Sequence, residues 1–448
     1  MSDFLTSIVA VAGVLGFMIL IHEFGHFAVA KWLGVRVEQF AIGFGKRLVG
    51  FRKGETDYRI NAIPLGGYVK MSGENPMDTH TDDPGEFLNH SRWHRFLIAI
   101  AGPTMNILLA IVLLTTVYMV HYEYPVYLDK PAVVQGVRKD SPAARAGIQA
   151  GDRIIKIDGI DNPTWEQVQP RVWLSPNQAL AVTIQRGSET LQKTLYPKAV
   201  TTSEVGTVGW FPEEPVVIGR LDPGLPAAKA GMKEDDKIVA MNGQPVPSIE
   251  YMIESLQQTK DQPVDLTVER GNQTVRFRLQ PVLSSTEEPK EQRYRLGFIN
   301  KGVTRVTTLP FPAALRLSLD QNKKYSLLIL ELARKMIQGK ISPKAISGPI
   351  GIAQDAGYAA QQKGWTPLME LTAGISLNLG IFNLLPIPIL DGGVILFLLI
   401  EGLMRRDISM NIKERVYQAA FVFLVLFAVM VIYNDLMKTI PGLADRLP

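Results

Sequence analysis

Three residues near the start of the chain carry the clearest chemistry. His22 and His26 stand four positions apart, with Glu23 beside the first, in His22-Glu23-Phe24-Gly25-His26. On a helix that spacing puts both imidazoles on one face, where they can grip a single metal ion. Glu23 is then placed to hold and deprotonate a water at that metal. Zinc suits two imidazoles plus a carboxylate, and keeps a fourth position for water, whose pKa falls from 15.7 to about 7. The chain has only six histidines, which counts against a chance match, and no cysteine. Thiolate ligands, a cysteine nucleophile and disulfide staples are therefore excluded.

A third ligand has to come from elsewhere. Soluble enzymes with this motif take a downstream carboxylate, which makes Glu38 and Glu55 candidates. Both fall in a polar, basic stretch where a solvated carboxylate is the ordinary reading. Asp391 is the stronger candidate. It is the lone carboxylate in the otherwise apolar run Asn378-Leu-Gly-Ile-Phe-Asn383-Leu-Leu-Pro386-Ile-Pro388-Ile-Leu390-Asp391-Gly392-Gly393. Pro386 and Pro388 break a helix there, and the two glycines free the backbone to bend. Such irregular backbone at membrane depth is tolerated only where it is buried or lines a water-filled cavity.

The elements that must position these groups read as membrane helices. Hydrophobic residues make up 46% of the 448-residue chain, and charges avoid four stretches: Phe4–Ile21, Phe96–Val120, roughly Leu371–Ile400 and roughly Val416–Tyr433. A span needs about 20 apolar residues. No Lys or Arg precedes Lys31, so the first stretch lacks the basic start of a signal peptide and reads as a retained span. Ionisable residues at the end of such a span cost about 2.5–3.5 kcal/mol each to insert, and a metal is the simplest partner for three of them.

Basic residues crowd Lys31–Arg95 and recur at Arg405, Arg406, Lys413 and Arg415. Positive flanks mark the cytoplasmic side. The 31–95 loop is then cytoplasmic, with both termini and Tyr122–Glu370 on the other side. The net charge of +4 is explained by anionic lipid and calls for no nucleic acid partner.

Between the second and third stretches the chain repeats itself. Ser141-Pro-Ala-Ala-Arg-Ala-Gly147 through Gly159 reappears as Leu225-Pro-Ala-Ala-Lys-Ala-Gly231 through Gly243, at a constant offset of 84 (231 − 147 and 243 − 159). Each copy reads as strand, short helix, strand and glycine turn. The pattern resembles tandem PDZ domains of the circularly permuted bacterial kind. Val208-Gly209-Trp210 and Leu296-Gly297-Phe298 are similar to the peptide-binding loop of that family, which captures an extended segment at a sheet edge. Peptide capture and a size filter are both open roles. Pro312–Gly339 has helical spacing of apolar and basic positions (Leu315, Leu317, Leu327, Leu328, Leu330, Leu332, Met336). It reads as an amphipathic helix, packed on a neighbour or lying at the membrane surface.

Taken together, the His-Glu-x-x-His motif, the Asn-x-x-Pro-x-Pro-x-Leu-Asp-Gly motif and the PDZ-like repeat resemble the site-2 protease family of intramembrane metalloproteases. Gly43-Phe-Gly45 and Ile63-Pro-Leu-Gly-Gly-Tyr68-Val-Lys-Met71 extend the likeness, which covers essentially the whole chain. The resemblance implies a polytopic α-helical membrane protein with four transmembrane helices and two periplasmic PDZ-like α+β domains between spans 2 and 3. The corresponding segments are 1–121, 122–212, 213–305, a surface helical segment 306–370, and 371–448. It implies one Zn2+ held by His22, His26 and Asp391, Glu23 as general base, and Asn383 and less firmly Asn378 beside the substrate. Asn383 could instead make an inter-helix hydrogen bond. The Ile60–Met71 stretch, with Pro64, Leu65, Gly66, Gly67 and Tyr68, would dip into the membrane and pair with substrate; otherwise it is an ordinary cytoplasmic hairpin.

The implied setting is the bacterial inner membrane, in regulated intramembrane proteolysis of the stress response. The implied substrates are single-span anti-sigma factors already trimmed by another protease, or remnant signal peptides. Two other classes are weighed against this. A scaffold with a structural metal sits badly with the vacant fourth ligand position. An ion transporter sits badly with four spans and no inverted repeat in the membrane part.

Overall fold

The computed structural model describes residues 2–74, 83–199, 205–285, 292–362 and 364–439. Among these the chain falls into two compact units. The first takes in Met1–His121, Thr308–Glu331 and Ile346–Ile440; the second takes in Tyr122–Thr307 and Leu332–Ala345.

In the first unit, helix α1 (Ser2–Trp32) carries the His-Glu-x-x-His motif near its C-terminal end. Gly34, at φ +83°, follows its end. Two antiparallel strands follow, β1 (Val37–Lys53) and β2 (Thr56–Met71). Each is bent, so that together they make four rungs. Residues 37–42 pair with 57–60 on one side and 67–71 on the other, while 47–53 pair with 56–61. The bends need positive φ, supplied by Gly43 (+81°), Gly45 (+86°) and Gly66 (+100°). Segment 67–71 is thus an edge of the sheet among the described residues. Phe27 of α1 packs edge-on to Phe40 and Tyr58, fixing helix against sheet.

Helix α2 (Arg92–Val120) starts where Ser91 Oγ accepts the His94 N–H at 3.2 Å. It lies against α1 through glycines. A Cβ on Gly25 would sit 2.5 Å from the Ala101 carbonyl oxygen, and one on Gly102 would sit 2.3 Å from His26 Nε2. Small residues at such a crossing let two helices approach closely.

The third apolar stretch is not one helix. Helices Thr366–Asn383 and Asp391–Met404 flank a break over 384–390. The prolines forbid a continuous ladder, and Ile389 takes a positive φ of +87°. Gly392 and Gly393 are required by close approach, since a Cβ would fall 2.2 Å from Leu385 O and 2.4 Å from Ile387 O, respectively. The last helix is Met410–Thr439. Among the described residues three helices are long and apolar enough to cross a membrane: Val9–Trp32, Arg92–Val120 and Asn411–Met437. Phe421, Val422 and Leu426 are 62%, 57% and 65% exposed, an apolar surface suited to lipid rather than water.

A helix at Pro349–Gln361 is an addition to the sequence reading. Its N-terminus is capped from far along the chain: Asp435 accepts the N–H groups of Gly348, Ile350 and Gly351 at 2.9, 3.0 and 3.1 Å. Helix Phe311–Ile337 matches the expected amphipathic segment, but its buried positions are Ala314, Ser318 and Asn322. Ser318 Oγ donates to Ile111 O at 2.9 Å, a small and polar contact. Leu327 and Leu330 of the same helix face outward, 58% and 47% exposed.

The second unit has two cores. One gathers Ala132, Val134, Ile154, Ile157, Val168, Ile184 and neighbours around strands Arg153–Ile157, Leu180–Arg186 and Glu189–Leu195. The other gathers Val216, Ile218, Ile238, Met252, Leu266, Val268 and neighbours around Val216–Leu221, Lys237–Met241, Val264–Arg270 and Gln273–Leu279. The repeat extends to a shared brace. Arg186 reaches the buried Asp152 with Nε at 2.7 Å and a terminal nitrogen at 2.8 Å. Arg270 does the same to Asp236 at 2.7 and 2.7 Å. Burial alone would push these two carboxyls up, but the guanidinium and a backbone N–H hold both below the usual carboxylate range.

Candidate metal centre and its cavity

The break before Asp391 delivers its carboxylate to the imidazole pair. Asp391 Oδ2 lies 3.1 Å from His22 Nε2, and Oδ1 lies 3.4 Å from His26 Nε2. The two Nε2 atoms are 3.3 Å apart. Atoms that share a tetrahedral zinc ion through arms of about 2.0–2.1 Å stand about 3.3 Å from one another; one ligand atom from each of the three residues lies within 4.8 Å of the other two, a cluster with the donor set that zinc takes. No second group of three or more candidate ligands is found among the described residues.

Hydrogen bonds behind the imidazoles fix which nitrogen faces inward. His26 Nδ1–H donates to the Ile98 carbonyl at 2.8 Å. Behind His22 stands the fully buried Asn106, whose side-chain amide is 3.1 Å from Nδ1. With the amide turned so that Oδ1, otherwise unpartnered, faces the ring, His22 Nδ1–H gains an acceptor. The Asn106 backbone carbonyl accepts from Ser376 Oγ at 2.9 Å, which ties this wall to Thr366–Asn383.

Glu23 lies beside the triangle and takes the backbone N–H of Val69 on the sheet edge. Gly67 is close enough that a Cβ there would meet Glu23 Cγ at 3.6 Å. Asn383, the last residue of its helix, brings its amide nitrogen within 3.4 Å of His22 Nε2. Tyr68 donates to Gln39 Oε1 at 3.0 Å and lines the same cavity of about 580 Å³ as His22, Glu23, His26 and Asp391.

Other expected residues fall elsewhere. Asn378 is half-buried and does not line the cavity. Glu38 pairs with Lys70 at 2.8 Å and Glu55 with Lys31, both at the surface. Pro64 and Leu65 belong to β2, and their side chains are outside the described residues. In the second unit, Gly209 (φ +74°) and Gly297 (φ +89°) turn beside the short helices. The carbonyls of Val208 and Leu296 accept from Ala143 and Ala227 at 2.9 and 2.8 Å. Trp210 and Phe298 are half-buried against their own cores.

Sequence reasoning missed Asn106, although it is the one carboxamide inside the second apolar stretch, Phe96–Val120; Arg95, with Trp93 at the threshold of that stretch, reads from the sequence as an interface anchor.

A base beside a two-histidine, one-carboxylate triangle, walled by apolar helices, defines a metallopeptidase built into a membrane. Residues 10–427 match the model of Peptidase family M50. The chain is 33% identical to Protease RseP of Yersinia pestis, covering 97% of this chain and 99% of that one. It is 32% identical to the Regulator of sigma-E protease RseP of Salmonella typhimurium, with 97% and 99% covered. The chain belongs to Peptidase family M50 and is a zinc metalloendopeptidase of the site-2 protease type.

Proposed function

We propose that this protease hydrolyses a peptide bond within the transmembrane segment of a single-span substrate. The observation that carries the reading is the cluster of His22, His26 and Asp391, whose ligand atoms lie within 4.8 Å of one another, with Glu23 lining the same cavity. These three residues would hold one zinc ion. When bound, zinc supplies the Lewis acidity that polarises the scissile carbonyl and acidifies water. Glu23 takes the proton of the attacking water and delivers it to the leaving amine. The Asn383 amide donates to the carbonyl oxygen as charge develops on it.

A helical substrate hides its peptide bonds and must be drawn out as a strand. The edge segment 67–71 beside Glu23 supports strand addition as the means. In this reading the helix pair Thr366–Asn383 and Asp391–Met404 crosses the bilayer as a broken third span, which gives four. The 31–95 loop faces the cytoplasm; the PDZ-like segments 122–212 and 213–305 face the periplasm, with helix Phe311–Ile337 at the lipid surface. The PDZ-like pair admits only substrates already stripped of bulky outer domains. Relatives named as regulators of sigma-E support an anti-sigma factor in the inner membrane as the substrate.

The test is to incubate the purified protein in detergent with a labelled single-span substrate, with and without a zinc chelator, and to map the product by mass spectrometry. Cleavage inside the apolar segment, lost with chelator and restored by zinc, is expected. Cleavage only outside that segment would contradict the reading.

A further inference from the structure

Among the charged groups lining the cavity, Arg95 is the one without a direct partner among the described residues. It stands three residues before Ile98, whose carbonyl holds His26, and so its backbone lies about 4.5 Å along the axis of α2 from that residue. Its side chain is nine-tenths buried, at 9% exposure, and Nε has no hydrogen bond. The carboxylates that act on it are committed elsewhere. Glu401 accepts from Lys413 Nζ at 2.7 Å and from the Ile408 N–H at 3.1 Å. Asp407 accepts from Arg92 at 2.7 Å. Three cations thus share these two anions, and Arg95 is the one left over, in the wall of a cavity that Glu23, Glu74 and Asp391 also line. A buried guanidinium left this way is costly unless a ligand completes it, and its planar fork matches a carboxylate.

Resting on the proteolytic reading, we infer that Arg95 is a carboxylate subsite of this cavity. Hydrolysis adds water across the C–N bond, leaving a carboxylate on the N-terminal fragment and an amine on the other. The carboxylate is the one new anion formed in the cavity, and Arg95, in the wall of that same cavity, receives it. An acidic side chain of the substrate carries the same chemistry and is separated by the test.

Fluorescein-labelled apolar peptides of one sequence, ending in a free carboxylate, in a carboxamide, or in a carboxamide preceded by glutamate, are titrated against the zinc-loaded full-length protein in detergent. Binding is read by fluorescence polarisation. The wild type should prefer the free carboxylate to the plain carboxamide. In Arg95→Gln that peptide should weaken at least tenfold while the carboxamide stays within twofold, and Arg95→Lys should recover part of the loss. A parallel loss for the glutamate peptide supports the subsite with a substrate side chain as its source; no such loss supports the product terminus. Equal binding of acid and amide by the wild type overturns the inference without any variant, as does an equal shift of both in Arg95→Gln. Because binding is read without turnover, a protein that cleaves nothing yet prefers the acid peptide would refute the proteolytic reading alone.

Discussion

Replacing Asn106 with leucine isolates the hydrogen bond behind the first imidazole. Leucine keeps the four-atom side chain of asparagine, branched at Cγ, and the packing of its Cβ against Gly380, where a Cβ would lie 3.4 Å from Asn106 Cβ. What is lost is the side-chain amide 3.1 Å from His22 Nδ1, whose oxygen is the acceptor once the amide is turned. Without it the buried ring shifts its proton to Nε2, the atom that faces Asp391 at 3.1 Å, and metal must displace it. Loss of such a partner costs about 10–100-fold in metal affinity, or about 1.4–2.7 kcal/mol. Asn106→Asp restores an acceptor and should hold zinc at least as tightly as wild type. The assay is zinc retention against chelators of graded affinity, read by atomic absorption. A purely structural role moves both variants alike. Leucine within twofold of wild type, or leucine and aspartate weakened equally, refutes the reasoning.

Gly102→Ala should abolish zinc retention, because its Cβ falls 2.3 Å from His26 Nε2 and the ring can escape only by giving up the Ile98 carbonyl; normal zinc content would contradict the packing. Asp152→Asn leaves Arg186 without its counter-charge. It should destabilise the first PDZ-like fold by about 2–3 kcal/mol, below the about 3–5 for a fully buried pair because Arg186 is 32% exposed. Hydrogen exchange in the strands around Ile154 and Ile184 reads this. Since the folded Asp152 and Asp236 carboxyls titrate below their unfolded value, their contribution is complete above about pH 4 and fades as pH falls through the folded pKa. Exchange protection in these strands should drop only in that acid window, and a loss between pH 6 and 8 would count against the brace.

The legible parts of the chain were those where local pattern and chemistry coincide. His22 and His26 needed only the helical period, and the 84-residue repeat surfaced again as paired Asp–Arg braces. Asp391 could be nominated because a lone carboxylate among prolines in an apolar run has few other uses. The helix Pro349–Gln361 escaped because its glycines weaken local propensity, while its cap, Asp435, lies 84 to 87 residues onward. Asn106 escaped because an amide in a span is informative only once the residue behind which it sits is known. The amphipathic helix was read by its leucines, whereas burial selected Ala314, Ser318 and Asn322, since backbone proximity there favours small groups over large ones.

The most direct test of the account is Glu23→Gln, assayed side by side with wild type for zinc content and for single-turnover cleavage of a single-span substrate. Glutamine keeps the shape and the Val69 contact but cannot take a proton. The account predicts the same zinc content in both proteins and cleavage slowed by about 10²–10⁴-fold in the variant; cleavage at the wild-type rate with zinc bound would contradict it.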